Sequence, residues 1–185
     1  MRHLPAAGYL EQPWANGGGI TREIARADAP ATDVDDDGAG AGFDWRLSMA
    51  SVATSGPFSA FPGIDRTLTV LTGAGLVLAI GTDEAEVLLP GRPFAFPGDV
   101  PTHAALVDGP ISDLNVMTRR DTFSHSVTPV EGPQTLQGPG AVFALEAMTV
   151  DGILLGPFDT LLLDPADAVT TGFGRCFLIR FEVLP

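Results

Sequence analysis

Three consecutive glycines near the start of the chain lie beside side chains that are suited to binding a small molecule. Adjacent glycines are costly to order, so a folded protein keeps them where another group approaches the main chain or where φ is positive. The neighbouring residues supply an apolar ring, an amide and a fixed cation. We therefore predict a small-molecule site here, whose candidate residues are Trp14, Asn16, Gly17, Gly18 and Arg22.

Arg22 has two interpretations, because residues 19–25 alternate like a half-buried strand. Ile20 and Ile24 fall on one face of that strand, and Arg22 falls with them. A charge on an apolar face is unusual. Arg22 therefore either faces a pocket or reaches solvent at the end of the strand.

More polar side chains are embedded in later strand-like runs. Arg46 and Ser48 share one face of residues 45–51, Arg66 precedes an apolar strand, and Asn115 alternates with Asp113. A cation inside a small barrel costs several kcal/mol unless a carboxylate or an anionic ligand satisfies it. Two interpretations stay open: these residues bind a ligand carboxylate, or the two arginines form structural bridges with Asp113 or Asp65.

The sequence gives little support for a metal site or for a nucleophilic catalytic residue. The three histidines, His3, His103 and His125, are far apart, and no cysteine cluster exists. The single Cys176 lies in an apolar run, where core packing is the expected role. No serine stands in a nucleophile-elbow pattern. We therefore expect no metal, no cofactor and no catalytic residue.

Acid–base catalysis is the alternative chemistry. Asp99, Asp113 and His103 are its candidates. Asp65 and Asp99 follow glycines closely, and aspartates at such places commonly bond turn backbone. We therefore favour a structural role in turns for Asp65 and Asp99.

Composition restricts the class of partner. The formal net charge is −13, all ten basic residues are arginines, and 45% of residues are hydrophobic. A nucleic-acid backbone or an anionic membrane surface would require clustered cations, so we expect neither as a partner. No apolar run approaches membrane-spanning length, and no leader-like segment follows the N-terminus, so a cytoplasmic protein is expected.

Short β-type runs separated by turn residues predict an all-β sandwich or barrel. A first series lies between residues 43 and 117, and a second covers 142–150, 153–155, 160–163 and 177–183. Between them, residues 121–139 are interpreted as a polar stretch. Residues 27–42 are small and acidic and are predicted to form an exposed, mobile loop. An exposed edge strand would permit a homodimer as well as a monomer.

Several blocks together resemble the HutD/Ves family, a group of small bicupin proteins associated with bacterial histidine utilisation. The blocks are residues 13–19 with 21–24, 45–48, 56–59 with 61–66, 96–99 and 113–120. The family pattern usually has a lysine where this chain has Ala15. That difference removes one cation from the segment that best identifies the family.

The resemblance implies two cupin-like antiparallel barrels packed as one unit over residues 1–185. The first would cover approximately 1–120 and the second 121–185, with strand exchange between them. It also implies an accessory or regulatory protein whose pocket takes a small anionic metabolite, such as formylglutamate or urocanate. We therefore expect a non-catalytic binding protein. A metal-independent isomerase, lyase or hydrolase, or a protein-interaction scaffold, is the alternative.

Overall fold

The computed structural model describes residues 1–14, 17–28, 42–83 and 85–185. These residues form β-strands with a single short 3-10 turn at Ala6–Gly8, so the all-β prediction is confirmed. The first ten strands are β1 (Arg2–Leu4), β2 (Leu10–Pro13), β3 (Gly19–Asp28), β4 (Phe43–Val52), β5 (Gly56–Pro57), β6 (Ile64–Thr72), β7 (Leu76–Ile80), β8 (Glu86–Leu88), β9 (Phe94–Pro97) and β10 (Thr102–Leu106). The remaining strands are β11 (Ile111–Arg119), β12 (Phe123–Glu131), β13 (Thr135–Gln137), β14 (Gly140–Ala144), β15 (Met148–Val150), β16 (Ile153–Leu155), β17 (Thr160–Leu163), β18 (Ala168–Thr170) and β19 (Arg175–Val183).

The chain divides into two compact units. The large unit comprises Glu11–Phe123 with Leu184–Pro185, and the small unit comprises Met1–Leu10 with Ser124–Val183. The first ten residues thus group with the C-terminal part of the chain, because β1 pairs antiparallel with β17. The described residues form no helix with the length and apolarity needed to cross a membrane.

The large unit contains a six-stranded sheet and a four-stranded sheet. Their strand orders are β2-β3-β4-β11-β6-β9 and β5-β10-β7-β8. Alternating apolar residues of both sheets meet in one core, which includes Val52, Leu68 and Val70 from the first sheet and Leu76 and Leu78 from the second. Since successive side chains of a strand point to opposite faces, period-two alternation is what supplies this core.

The small unit is built on a five-stranded sheet with the order β1-β17-β14-β19-β12. The Tyr9 hydroxyl anchors the N-terminal segment, because it donates to the Phe158 carbonyl at 2.7 Å and lies 2.8 Å from the Thr160 hydroxyl. Burial raises the pKa of Tyr9 to about 12, so the phenol stays protonated. Cys176 is fully buried in this unit's apolar core, which confirms its predicted packing role.

Three local predictions need correction. The polar stretch at 121–139 contains β12 and β13. The sequence does not reveal β12, because an exposed edge strand needs no apolar alternation. The run at 142–150 breaks into β14 and β15 at an intervening bend. The loop predicted for 27–42 overlaps β3, which extends to Asp28, and residues 29–41 lie outside the described ranges.

Candidate functional site

A cavity of about 370 Å³ lies in the large unit on one face of the six-stranded sheet. This volume falls in the range of small-molecule sites. Its wall combines two cations, a carboxyl, an amide and hydroxyls with aromatic and aliphatic groups. The lining residues are Trp14, Thr21, Arg46, Ser48, Ala50, Pro57, Phe58, Ser59, Phe61, Arg66, Asp113, Asn115 and Met117.

Strand register arranges the polar wall in rows across the sheet. Met117 of β11 lies between Arg46 of β4 and Arg66 of β6. The next row toward the core places Asn115 beside Ser48. Because directly opposite residues on paired strands have neighbouring side chains, these residues form one continuous surface.

Arg66 is a buried cation held mainly by aromatic rings. Its side chain is 6% exposed, and its Cζ lies 5.0, 5.7 and 5.1 Å from the ring centroids of Phe58, Phe61 and Phe96. Such contacts stabilise a guanidinium more strongly when water is excluded. Burial lowers the pKa of Arg66 to about 10, so it remains charged at neutral pH.

The hydrogen bonding of Arg66 is incomplete. One terminal amino group donates to the Asn115 amide oxygen at 2.7 Å. Its Nε–H is buried without a hydrogen-bond partner, and none of the described carboxylates lies within ion-pair distance of the guanidinium. A buried donor left in this condition is costly, and an anion in the cavity would offset the charge of the guanidinium that carries it.

Asn115 links Arg66 to a buried carboxyl. The Asn115 amide nitrogen donates to Asp113 Oδ1 at 2.6 Å, and Asp113 is 1% exposed. Burial raises the pKa of Asp113 to about 7, although the nearby Arg66 charge opposes this rise. The wall thus carries a carboxyl whose charge changes near neutrality.

The second cation of the wall is already neutralised. Arg46 Nε donates to Glu23 Oε2 at 3.0 Å, and both side chains are largely buried. Arg46 therefore contributes less positive charge to the cavity than Arg66 does.

The glycine-rich turn positions Trp14 at the cavity. The Trp14 indole N–H donates to the Thr21 hydroxyl at 2.8 Å, and the Gly17 amide donates to the Trp14 carbonyl at 3.0 Å. Gly17 has a φ of +71°, which explains a glycine there. At Gly19, a Cβ atom would lie 2.5 Å from the Ser51 carbonyl oxygen and 3.0 Å from the indole ring.

Comparison with known proteins identifies the family. The HutD family model matches residues 6–175. The chain belongs to the HutD family.

Relatives of this HutD-family protein include two curated bacterial proteins. An uncharacterised 21.2 kDa protein in the hutC 3′ region of Pseudomonas putida is 42% identical over 117 residues, which cover 63% of this chain and 57% of the relative. Protein Ves from Citrobacter koseri is 39% identical over 135 residues, covering 71% of this chain and 66% of the relative. The matched part of this chain thus spans less than two thirds of the length of either relative.

A solved structure extends the match to the whole chain. HutD from Pseudomonas fluorescens SBW25, in a formate condition, superposes with a TM-score of 0.89 at 35% identity. The superposition covers 100% of this chain and 99% of that one.

The predicted binding residues of the HutD-family protein separate into four groups, the last of which is Arg22 alone. Five of them line the cavity: Trp14, Arg46, Ser48, Arg66 and Asn115. Gly17 and Gly18 are absent from the lining and instead make backbone hydrogen bonds in the turn beside Trp14. Asn16 and Ala15 lie outside the described residues.

Arg22 lies away from the cavity. Its Nε donates to Glu11 at 2.9 Å, and the side chain is 42% exposed. The adjacent Thr21 and Glu23 take the pocket side of β3, so alternation turns Arg22 to the other side. The prediction that Arg22 lines the pocket is therefore corrected in favour of an exposed ion pair.

The proposed structural bridges also differ from expectation. Arg46 pairs with Glu23, and Arg66 bonds to an amide, whereas Asp65 accepts from Arg120 at 2.8 Å. Arg120 also pairs with Asp99, and this hydrogen bond lowers the pKa of the Asp99 carboxyl.

Of the candidate acids and bases, only one lines the cavity. Asp113 does so, whereas Asp99 pairs with Arg120 and His103 is an exposed residue of β10. The described residues contain no group of three or more His, Cys, Asp or Glu side chains that could hold a metal ion.

Several pocket residues were missed as site candidates: Thr21, Ala50, Pro57, Phe58, Ser59, Phe61 and Met117. Thr21, Ala50 and Met117 could have been predicted, because strand alternation puts them on the same face as Glu23, Arg46 and Asn115. The segment 57–61 has no such pattern, because β5 ends at Pro57 and the rest is irregular.

The raised pKa of Asp113 predicts a distinctive dependence of stability on pH. Between its ordinary value of 3.8 and about 7, the folded state binds a proton that the unfolded state lacks, so stability falls as pH rises through this window. We expect Asp113→Asn to remove this pH dependence. Between about pH 4 and about pH 7, the free energy of unfolding of the variant should rise by more than about 1 kcal/mol relative to that of the unsubstituted protein. Urea denaturation across this range measures the difference. Parallel stability profiles for the two proteins would contradict it.

Proposed function

We propose that this protein binds a small carboxylate at Arg66 without transforming it, as an accessory or regulatory component of histidine utilisation. The observation that carries this proposal is a buried, incompletely bonded guanidinium facing a cavity of about 370 Å³. Planar carboxylates match a guanidinium through two parallel hydrogen bonds. An anion at this position would supply the charge that the guanidinium lacks.

The rest of the wall suits a ligand with an apolar or conjugated body. Trp14, Phe58 and Phe61 provide ring surfaces, while the hydroxyls of Ser48 and Ser59 offer hydrogen bonds. Small-metabolite sites combine apolar surface with polar groups that fix the orientation of the ligand, and this wall offers both. Urocanate is a ligand of this kind, because it joins one carboxylate to an unsaturated chain. Formylglutamate joins two carboxylates to an amide and would rely more on the polar groups of the wall.

The association with histidine utilisation comes from relatives. The Pseudomonas putida relative lies in a hutC 3′ region, and the structural relative is a HutD protein. We also propose that the large and small units are each a cupin-like barrel. Antiparallel sheets around a separate apolar core in each unit support this proposal.

Thermal-shift titration tests the binding function. We expect formate, urocanate, formylglutamate or glutamate at millimolar concentration to raise the melting temperature, with saturation at 100 times Kd contributing about 2.7 kcal/mol. For a protein of this size, such a contribution corresponds to a rise of roughly 5–10 °C. Histidine completes the panel, formamide is the neutral counterpart of formate, and sodium chloride at equal ionic strength controls for screening. The absence of a shift with every carboxylate would contradict the proposed ligand class.

Catalysis is the second candidate, because Asp113 places a buried titratable carboxyl in the cavity wall. Proton NMR of the same mixtures distinguishes the two functions. Unchanged ligands support binding alone, whereas a new compound that disappears with Asp113→Asn would support an enzyme.

A further inference from the structure

Asp113 is a buried carboxyl that carboxylate binding at Arg66 does not by itself require. It lies on β11 opposite Ala50 of β4 and Val70 of β6, at the boundary between the cavity and the apolar core. Its Oδ1 accepts from Asn115, which in turn accepts from Arg66. Arg66, Asn115 and Asp113 therefore form one hydrogen-bonded chain, with the cation and the carboxyl at its two ends.

The positive charge of Arg66 stabilises the ionised form of Asp113. The charged groups that share this face of the sheet with Asp113 form ion pairs with one another, except Arg66 of β6; the others are Asp44 and Arg46 of β4, Glu23 and Arg26 of β3, and Arg119 of β11. The cavity residues of segment 57–61 carry no titratable group. The facing sheet presents apolar side chains such as Leu78 and Ala104 to the shared core, while His103 is exposed.

A ligand carboxylate would take away the field that keeps Asp113 ionised. Bound at Arg66, it would neutralise the only nearby cation that lacks a carboxylate partner among the described residues. It would also add a negative charge close to Asp113. Two carboxylates sharing one site in a low-dielectric interior repel each other, and one of them then retains a proton.

We propose that binding of a carboxylate at Arg66 is coupled to uptake of one proton from solvent by Asp113. The inference rests on the proposed binding function. It adds that the ligand is a weak acid, which the protein takes up as an anion together with one proton. No covalent bond other than the new O–H bond of Asp113 forms. For a singly charged carboxylate such as formate, the total charge of the site is the same before and after binding.

The coupling determines how affinity varies with pH. Below about pH 7, Asp113 is already protonated in the free protein, so affinity for a carboxylate stays constant. Above that value each binding event must take up a proton, and affinity falls toward the limit of tenfold per pH unit. The number of protons taken up per bound ligand is also largest above about pH 7.

Isothermal titration calorimetry in two buffers with different heats of ionisation counts the protons directly. Formate and formylglutamate are the probes, because their carboxyl groups titrate well below neutrality. At about pH 8 we expect close to one proton taken up per ligand, falling toward zero at about pH 5.5. Asp113→Asn should bind with no proton uptake at either pH, and Asp108→Asn, at an exposed turn, should behave like the unsubstituted protein.

The outcomes separate this inference from the function on which it rests. Binding with no proton uptake at about pH 8, or uptake that persists in Asp113→Asn, would overturn the coupling and leave carboxylate binding intact. Binding by neither probe would contradict both. If Asp113→Asn does not fold, the unsubstituted protein decides, because an affinity that is constant between about pH 6 and about pH 8.5 excludes the coupling.

Discussion

Replacing Arg66 with methionine is expected to weaken carboxylate binding at least about 100-fold, equivalent to about 2.7 kcal/mol. The guanidinium is the one cation of the described cavity wall that no described carboxylate neutralises. Methionine keeps an unbranched apolar side chain among Phe58, Phe61 and Phe96 but provides no charge and no donor. Calorimetric titration with formate and formylglutamate measures the loss.

Two further variants make this test specific. Arg22→Met removes an arginine of the same unit that pairs with Glu11 outside the cavity, so its affinity should match that of the unsubstituted protein. Arg66→Lys keeps the charge but cannot present two parallel donors, and we expect it to recover only a small part of the affinity. Full affinity in Arg66→Met would place the carboxylate elsewhere.

Gly19→Ala is expected to destabilise the protein by about 2–4 kcal/mol through overpacking. The added methyl group would lie 2.5 Å from the Ser51 carbonyl oxygen and 3.0 Å from the Trp14 ring. The backbone has little freedom to withdraw, because Gly19 is paired with Val52 in the β3–β4 ladder. The clash with the carbonyl would therefore remain, and the Trp14 ring would also be displaced, so carboxylate affinity should fall together with stability.

Urea denaturation measures this effect, and Gly56→Ala is its matched control. A Cβ atom at Gly56, which is also in the large unit, would have no atom within 4 Å, so we expect a change within about 0.5 kcal/mol. Equal stabilities for the two alanine variants would show that the close approach at Gly19 is unimportant.

Alternation in the sequence predicts the central part of the site. Arg46 and Ser48 on β4, and Asp113 and Asn115 on β11, reach one face because each pair is two residues apart in a regular strand. The all-β class follows from the same short runs. These inferences succeed where a local periodicity determines the direction of a side chain.

Other features depend on partners distant in the sequence. The register of β3 shifts between Glu23 and Ala25, and this irregularity arises in its pairing with β4. Phe58 and Phe61 approach Arg66 from a segment with no strand pattern. The edge strand β12 lacks the buried face that would reveal it. Tertiary contacts determine all of these, so sequence pattern alone could not predict them.

The Arg46–Glu23 ion pair gives the family a simple route to a changed specificity. Glu23 is not among the residues that line the cavity, yet it neutralises one that is. A single substitution of Glu23 by an uncharged residue would release the Arg46 charge into the cavity while leaving every lining residue unchanged. That change would strengthen the binding of doubly charged anions relative to singly charged ones. Divergence in ligand preference can therefore begin at a position that comparison of pocket residues alone would overlook.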